Sequence, residues 1–162
     1  MKQEDHTAAL IKTLSEGLTK GHAHATLEDA LKGLPTDLRG VVPKDLPYSI
    51  WQLVEHIRIT QWDIVEFSTN PDHESPEWPE GYWPKEHAPH SEKAWTESLH
   101  KIEADRETFI KALKKPDADL YTPFPHGDGQ NLLREAILLI DHTSYHVAEI
   151  IVLRRLLGAW KS

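Results

Sequence analysis

The chain has no cysteine, so it can form neither disulfides nor thiolate metal ligands, and no protein thiol is available as a nucleophile. Histidine and carboxylates are left as metal ligands, and any thiol chemistry requires a co-substrate. Lys/Arg-rich blocks are also missing, and the net charge is −8, against the counterion-release binding on which nucleic-acid partners depend. No DNA or RNA contact is expected. The first twenty residues hold no signal-like apolar core, and no uninterrupted apolar run approaches the roughly 18 residues of a membrane span. A soluble, cytoplasmic protein without a membrane partner follows as the expectation. Period-two alternation with β-branched enrichment is not sustained anywhere, which argues against strands.

What the sequence does have is helical periodicity in four stretches, within a length that suits one domain over 1–162. The first runs from about Asp5 through Leu10, Leu14 and Leu18, and resumes from His22 through Leu27 and Leu31 to Gly33, with Gly21 placed to kink or split it. The second opens with Ser49 as N-cap, carries Ile50, Leu53, Val54, Ile57, Ile64 and Phe67, and stops near Asn70-Pro71. The third starts at Ser91 and ends at Lys114-Lys115-Pro116, where cations meet the negative end of the helix dipole. The fourth spans Asn131 to Leu157, with Gly158 beyond it, and is apolar nearly all round, the mark of a central or interface helix. An all-α four-helix bundle is therefore expected. Its connections are long, roughly 14 to 20 residues against about 2 to 8 in ordinary bundle turns, so they cross the bundle or cover a site.

The fourth stretch places His142 and His146 four residues apart in the most apolar part of the chain. At that spacing two rings share a helix face with Cβ atoms roughly 5 to 6 Å apart, within reach of one divalent ion. A hydrogen-bonded core role is the competing reading for either ring alone. A reactive site of the zinc type takes three protein ligands and keeps one position open. The best third candidate is His56, on the amphipathic second helix. His6 lies near a terminus, His73, His87, His90 and His126 sit in polar loops, and His100 stands among charges. His24 could approach the site if its helix packs beside the second and fourth. Gln52 and Thr60, four residues either side of His56, and Glu149, three beyond His146, share faces with the ligands and are candidates to orient an imidazole or take a proton. Tyr145 could border the open position, whereas Asp141 points about 100° away from His142. Trp78, Tyr82 and Trp83 form either a lid or an anchor for their proline-rich loop, and Gly127-Asp128-Gly129 reads as a turn.

The segments from Pro47 to His56, Gln61-Trp62-Asp63-Ile64, Trp78 to Pro84, Gly127 to Gln130, Asp141-His142 with Tyr145-His146, and the Leu-Gly-Ala-Trp end together resemble the DinB/YfiT-like metalloenzyme family of the DinB superfamily. The resemblance spans nearly the whole chain. It implies a small four-helix fold with a metal triad at His56, His142 and His146. It also implies a divalent cofactor, Zn or Ni first and Fe, Cu or Mn open. The function expected from it is a metal-dependent enzyme of thiol-dependent transferase or hydrolase type, acting on a small-molecule substrate such as a low-molecular-weight thiol. The alternative is a non-catalytic dimeric binding or stress-response module with a structural or adventitious metal. The apolar fourth helix, with Leu153, Leu156, Leu157 and Trp160 near its end, leads us to expect a homodimer.

Overall fold

A computed structural model describes residues 3–160, with side chains from His6 onward; the outermost residues of the expected 1–162 domain lie outside that range. The described chain is all α: α1 (Gln3–Thr19), α2 (Leu27–Leu31), α3 (Ile50–Thr69), α4 (Glu92–Leu113) and α5 (Leu132–Leu156), with two single-turn 3-10 segments in the connections. The four long helices α1, α3, α4 and α5 make the bundle.

The expected helix starts are found where polar caps satisfy the free amides of a first turn. Ser49 Oγ accepts from the Gln52 amide while the Gln52 side chain accepts from the Ser49 amide, a reciprocal capping box. Ser91 and Asn131 cap α4 and α5 in the simpler one-sided way. Gly21 splits the first stretch rather than kinking it. The chain there turns so tightly that a Cβ on Gly21 would fall 1.7 Å from the His24 carbonyl oxygen, and helix resumes only after the Thr26 cap. Gly17 allows α1 to lie close on α5, because a Cβ there would press on Ile140 at 2.8 Å.

Two apolar clusters fill the bundle. One gathers Ile50, Leu53, Val54 and Ile57 of α3 with Trp95 and Ile102 of α4, Val147, Ile150 and Leu153 of α5, and Leu27 and Ala30 of α2. The other joins Leu14, Ile64, Val65, Phe109, Leu113, Leu120, Leu132 and Leu139. His56 of α3 meets His142 of α5, and Asp63 of α3 acts on Glu135 of α5, so these two helices run antiparallel. Arg154 of α5 is buried and donates to the carbonyls of Ala30, Lys32 and Ala159, tying α2 and the chain end to the same helix.

The expectation that no segment has the make-up of a membrane span does not hold for α5. Its 25 residues include an 18-residue window of mean hydropathy 1.4, enough by length and composition alone to cross a bilayer. Counting unbroken apolar runs missed this, since the Ile, Leu and Val content outweighs the interspersed His, Ser, Thr and Tyr. In this fold α5 packs against α1, α2 and α3.

Candidate metal centre

The three expected rings come together. His142 Nε2 lies 3.1 Å from His56 Nε2 and 3.2 Å from His146 Nε2, and all three nitrogens fall within 4.8 Å of one another. His56 and His146 are buried, and His142 is partly exposed. Each flanking ring has its proton pinned at the far nitrogen. His56 Nδ1 donates to the Tyr82 carbonyl at 2.9 Å, and His146 Nδ1 donates to the Glu149 carboxylate at 2.6 Å. That pattern leaves both Nε2 atoms as bare lone pairs facing the His142 Nε2.

A single N–H on His142 could satisfy one of these lone pairs and would leave the other against nitrogen. Protonating more rings is opposed by the surroundings. Burial, followed by repulsion from the neighbouring rings, pushes His142 down to about 3 and His146 down to about 4. His56 is also lowered, chiefly by burial. A cation resolves the frustration at all three nitrogens. Tetrahedral ligation with bonds of about 2.0–2.1 Å separates ligand nitrogens by about 3.3–3.4 Å, close to the spacings found. The residues present therefore fit a divalent transition metal held by neutral imidazoles.

Around the rings the loop between α3 and α4 does more than anchor itself. Trp83 stacks face to face on His56, with ring centres 3.9 Å apart and planes 3° from parallel, and Tyr48 stacks on the other face of Trp83 at 4.2 Å. The Tyr82 hydroxyl donates to Asp63 at 2.7 Å, and His73 bonds the other oxygen of that carboxylate at 2.8 Å. Asp63 thus fixes Tyr82, whose carbonyl fixes the tautomer of His56. Trp78 instead is largely exposed and packs on Tyr82. Tyr145 stands edge-on to His146 at 5.0 Å and is mostly open to solvent, while His142 is the ring of the three that is itself partly exposed.

A family model described as the DinB superfamily matches residues 21–150. The chain belongs to the DinB superfamily. No curated protein and no solved structure matches this DinB chain.

Several sequence expectations for the DinB site need correction. Gln52 does not reach an imidazole of the triad; it accepts from the Ser49 amide and pairs with His87 while donating to the Pro84 carbonyl, fastening the loop to the start of α3. The Thr60 hydroxyl is buried and touches no hydrogen-bond partner. His24 stays outside the three-ring group, with Nε2 3.2 Å from Ser144 Oγ. His126 bonds the Phe67 carbonyl at the end of α3, and the Gly127–Gly129 turn is as expected, with Gly129 at φ 108. Sequence reasoning named Tyr82 only as a lid or anchor ring, without its contacts to His56 and Asp63, and overlooked Asp63 and Tyr48 as partners of the site. The one signal that could have found Asp63 is a carboxylate on an otherwise buried helix face.

Two outcomes follow for the purified protein. Glu149→Ala removes the acceptor that fixes the His146 ring, and metal affinity is expected to fall by about 10–100-fold, with Glu149→Gln in between. Competition titration against a chromophoric chelator measures this, and an unchanged dissociation constant in the Ala variant would remove Glu149 from the site. The second outcome concerns the metal-free protein. His142 and His146 are lowered from an unfolded value near 6.5. The unfolded chain therefore binds more protons in the intervening range. Their stabilisation is complete above about pH 6.5 and is lost as pH falls through about 4 and 3, partly offset by Glu149, whose pKa is raised by burial. Urea midpoints that do not fall between pH 7 and 4.5 would contradict the buried neutral state of the rings.

Proposed function

We propose that this DinB protein holds one divalent transition-metal ion on the Nε2 atoms of His56, His142 and His146 and is a metal-dependent enzyme of thiol-dependent transferase or hydrolase type. The observation that carries the reading is the pair of bare Nε2 lone pairs, each fixed by a hydrogen bond on the opposite side of its ring, converging on a third Nε2. Such an ion, ligated by neutral rings, supplies Lewis-acid character that acidifies a bound water or thiol and polarises a carbonyl. Zn and Ni suit three imidazoles best, with Fe, Cu and Mn as further occupants.

The protein's own residues divide the remaining work. The Tyr82 carbonyl and the stacked Trp83 hold His56 and exclude water on that flank. Glu149 orients His146 and is the nearest group able to take a proton from its Nδ1. His142, the partly exposed ring of the three, marks the side from which a substrate would approach. With a net charge of −8 and no cysteine, the chain suits a small molecule that brings its own thiol more than a polyanion.

The test is elemental analysis of protein purified without a histidine tag, followed by a screen of the loaded sample for conjugation of cellular thiols to electrophiles and for ester and amide hydrolysis. About one metal per chain with turnover in either class is the expected result. Metal with a stability shift on chelation and no turnover would favour the non-catalytic binding module, and absence of stoichiometric metal would overturn both readings.

A further inference from the structure

The break at Gly21 leaves a cleft between the end of α1, the start of α2 and residues of α3, α4 and α5. A continuous first helix would have closed it. The cleft is partly open to solvent and holds about 40 Å³, room for about three waters or for a molecule of a few non-hydrogen atoms. Leu27, Ile102, Leu139 and Val147, all buried, give it apolar walls. None of His56, His142 and His146 lines it, and Thr143, which does, points about 100° around α5 from His142.

Two polar groups in this lining have no partner among the described residues. Gln61 is only 5% exposed; its Nε2 donates to the Ile102 carbonyl, while its Oε1 accepts no hydrogen bond. Thr143 is the second. Ser68, Thr69, Thr96, Thr108 and Ser144 each donate their hydroxyl to the carbonyl one helical turn back, and Thr143 does not. The charged groups of the cleft are by contrast already matched, Lys20 with Glu16 at 3.0 Å and Arg106 with Glu28 at 2.7 Å. His24 Nδ1 meets the Ala25 carbonyl, and its Nε2 meets Ser144.

We infer that this cleft binds a small uncharged molecule with a hydroxyl or carboxamide head and a short aliphatic body. The head donates to Gln61 Oε1 and accepts from the Thr143 hydroxyl, and the body lies on the apolar walls. A purely apolar ligand would leave both groups unpaired, which is costly for a buried carbonyl oxygen. A carboxylate brings no donor and sets a charged oxygen against Gln61 Oε1. An ammonium brings no acceptor for Thr143 and enters beside Arg106 and Lys20. Since the site uses none of the three histidines, it stands independently of the metal centre.

The test is a titration of the ¹⁵N-labelled full chain with propionamide, followed by NMR. Saturable shifts are expected at the Gln61 side-chain amide and at the Thr143 and Val147 backbone amides, with a dissociation constant of about 1–100 mM, as suits so small a ligand. Propionate has the same shape without the donor and should bind about tenfold more weakly or less. Thr143→Val, which keeps the side-chain shape, should weaken propionamide binding by about tenfold, and Thr143→Ser, which keeps the hydroxyl, by no more than about threefold. The spectrum of each variant verifies its fold. Shifts centred outside the cleft, propionate binding as tightly as propionamide, or a T143V variant that binds like the wild type would each overturn the proposal. So would the absence of saturable shifts, which would leave ordered water as the occupant.

Discussion

Replacing His142 by alanine is expected to eliminate stoichiometric metal retention while leaving the helices folded. Its Nε2 stands between the other two nitrogens, at 3.1 and 3.2 Å, so no pair of the remaining rings keeps the same convergence. Loss of a ligand should exceed the roughly 10–100-fold effect of losing an outer hydrogen-bond partner, so affinity should drop by at least about 100-fold. The metal-free variant should be no less stable than metal-free wild type near pH 6. Deleting the ring removes a half-buried group held far from its ordinary protonation equilibrium, and relieves the nitrogen–nitrogen opposition with it. Chelator competition and thermal melts with and without metal read both effects. Full metal content in His142→Ala would disprove the three-histidine centre, whatever the protein's activity.

Phe109→Ala should produce the largest loss of fold stability among single side-chain truncations, without touching the metal centre. The ring is fully buried on α4, where it packs in the cluster of Leu14, Ile64, Val65, Leu113 and Leu139, at a distance in sequence and in packing from the three histidines. Truncating a buried phenylalanine costs about 3–5 kcal/mol, from lost transfer energy plus the cavity that remains. For a chain of this size that corresponds to a fall in melting temperature of about 6–20 °C. Urea unfolding should show a lower midpoint at unchanged slope, and the metal content of the folded fraction should stay at wild-type level. A cost below about 1 kcal/mol would mean that this cluster is not packed as described.

These two outcomes separate what local sequence pattern reveals from what it hides. Helix boundaries were legible because they are local events. Ser49, Ser91 and Asn131 cap α3, α4 and α5 as their positions ahead of apolar periodic runs suggest, and Gly21 breaks the first stretch. The pairing of His142 with His146 was legible for the same reason, since one turn of helix sets it. His56 could be ranked by its place on an amphipathic helix, and Glu149 by its spacing from His146.

The same local logic failed for Gln52 and Thr60. Facing the right side of α3 does not say what lies opposite, and the loop between α3 and α4 took Gln52 for its own carbonyl and histidine. Nothing in the periodicity of that loop indicates that the backbone of Tyr82 would meet His56, or that Trp83 would stack between Tyr48 and the ligand ring.

The sequence by itself determined the helices, their caps, the shared face of two imidazoles and the exclusion of thiolate ligands. Those depend on residue type and on spacings of three and four. Only the tertiary structure decided that α3 runs antiparallel to α5 at the level that sets ring 56 against rings 142 and 146. It alone decided which nitrogen of each flanking ring faces the centre. Both are contacts between residues far apart in the chain, selected by how the two apolar clusters close, and no local period carries that information.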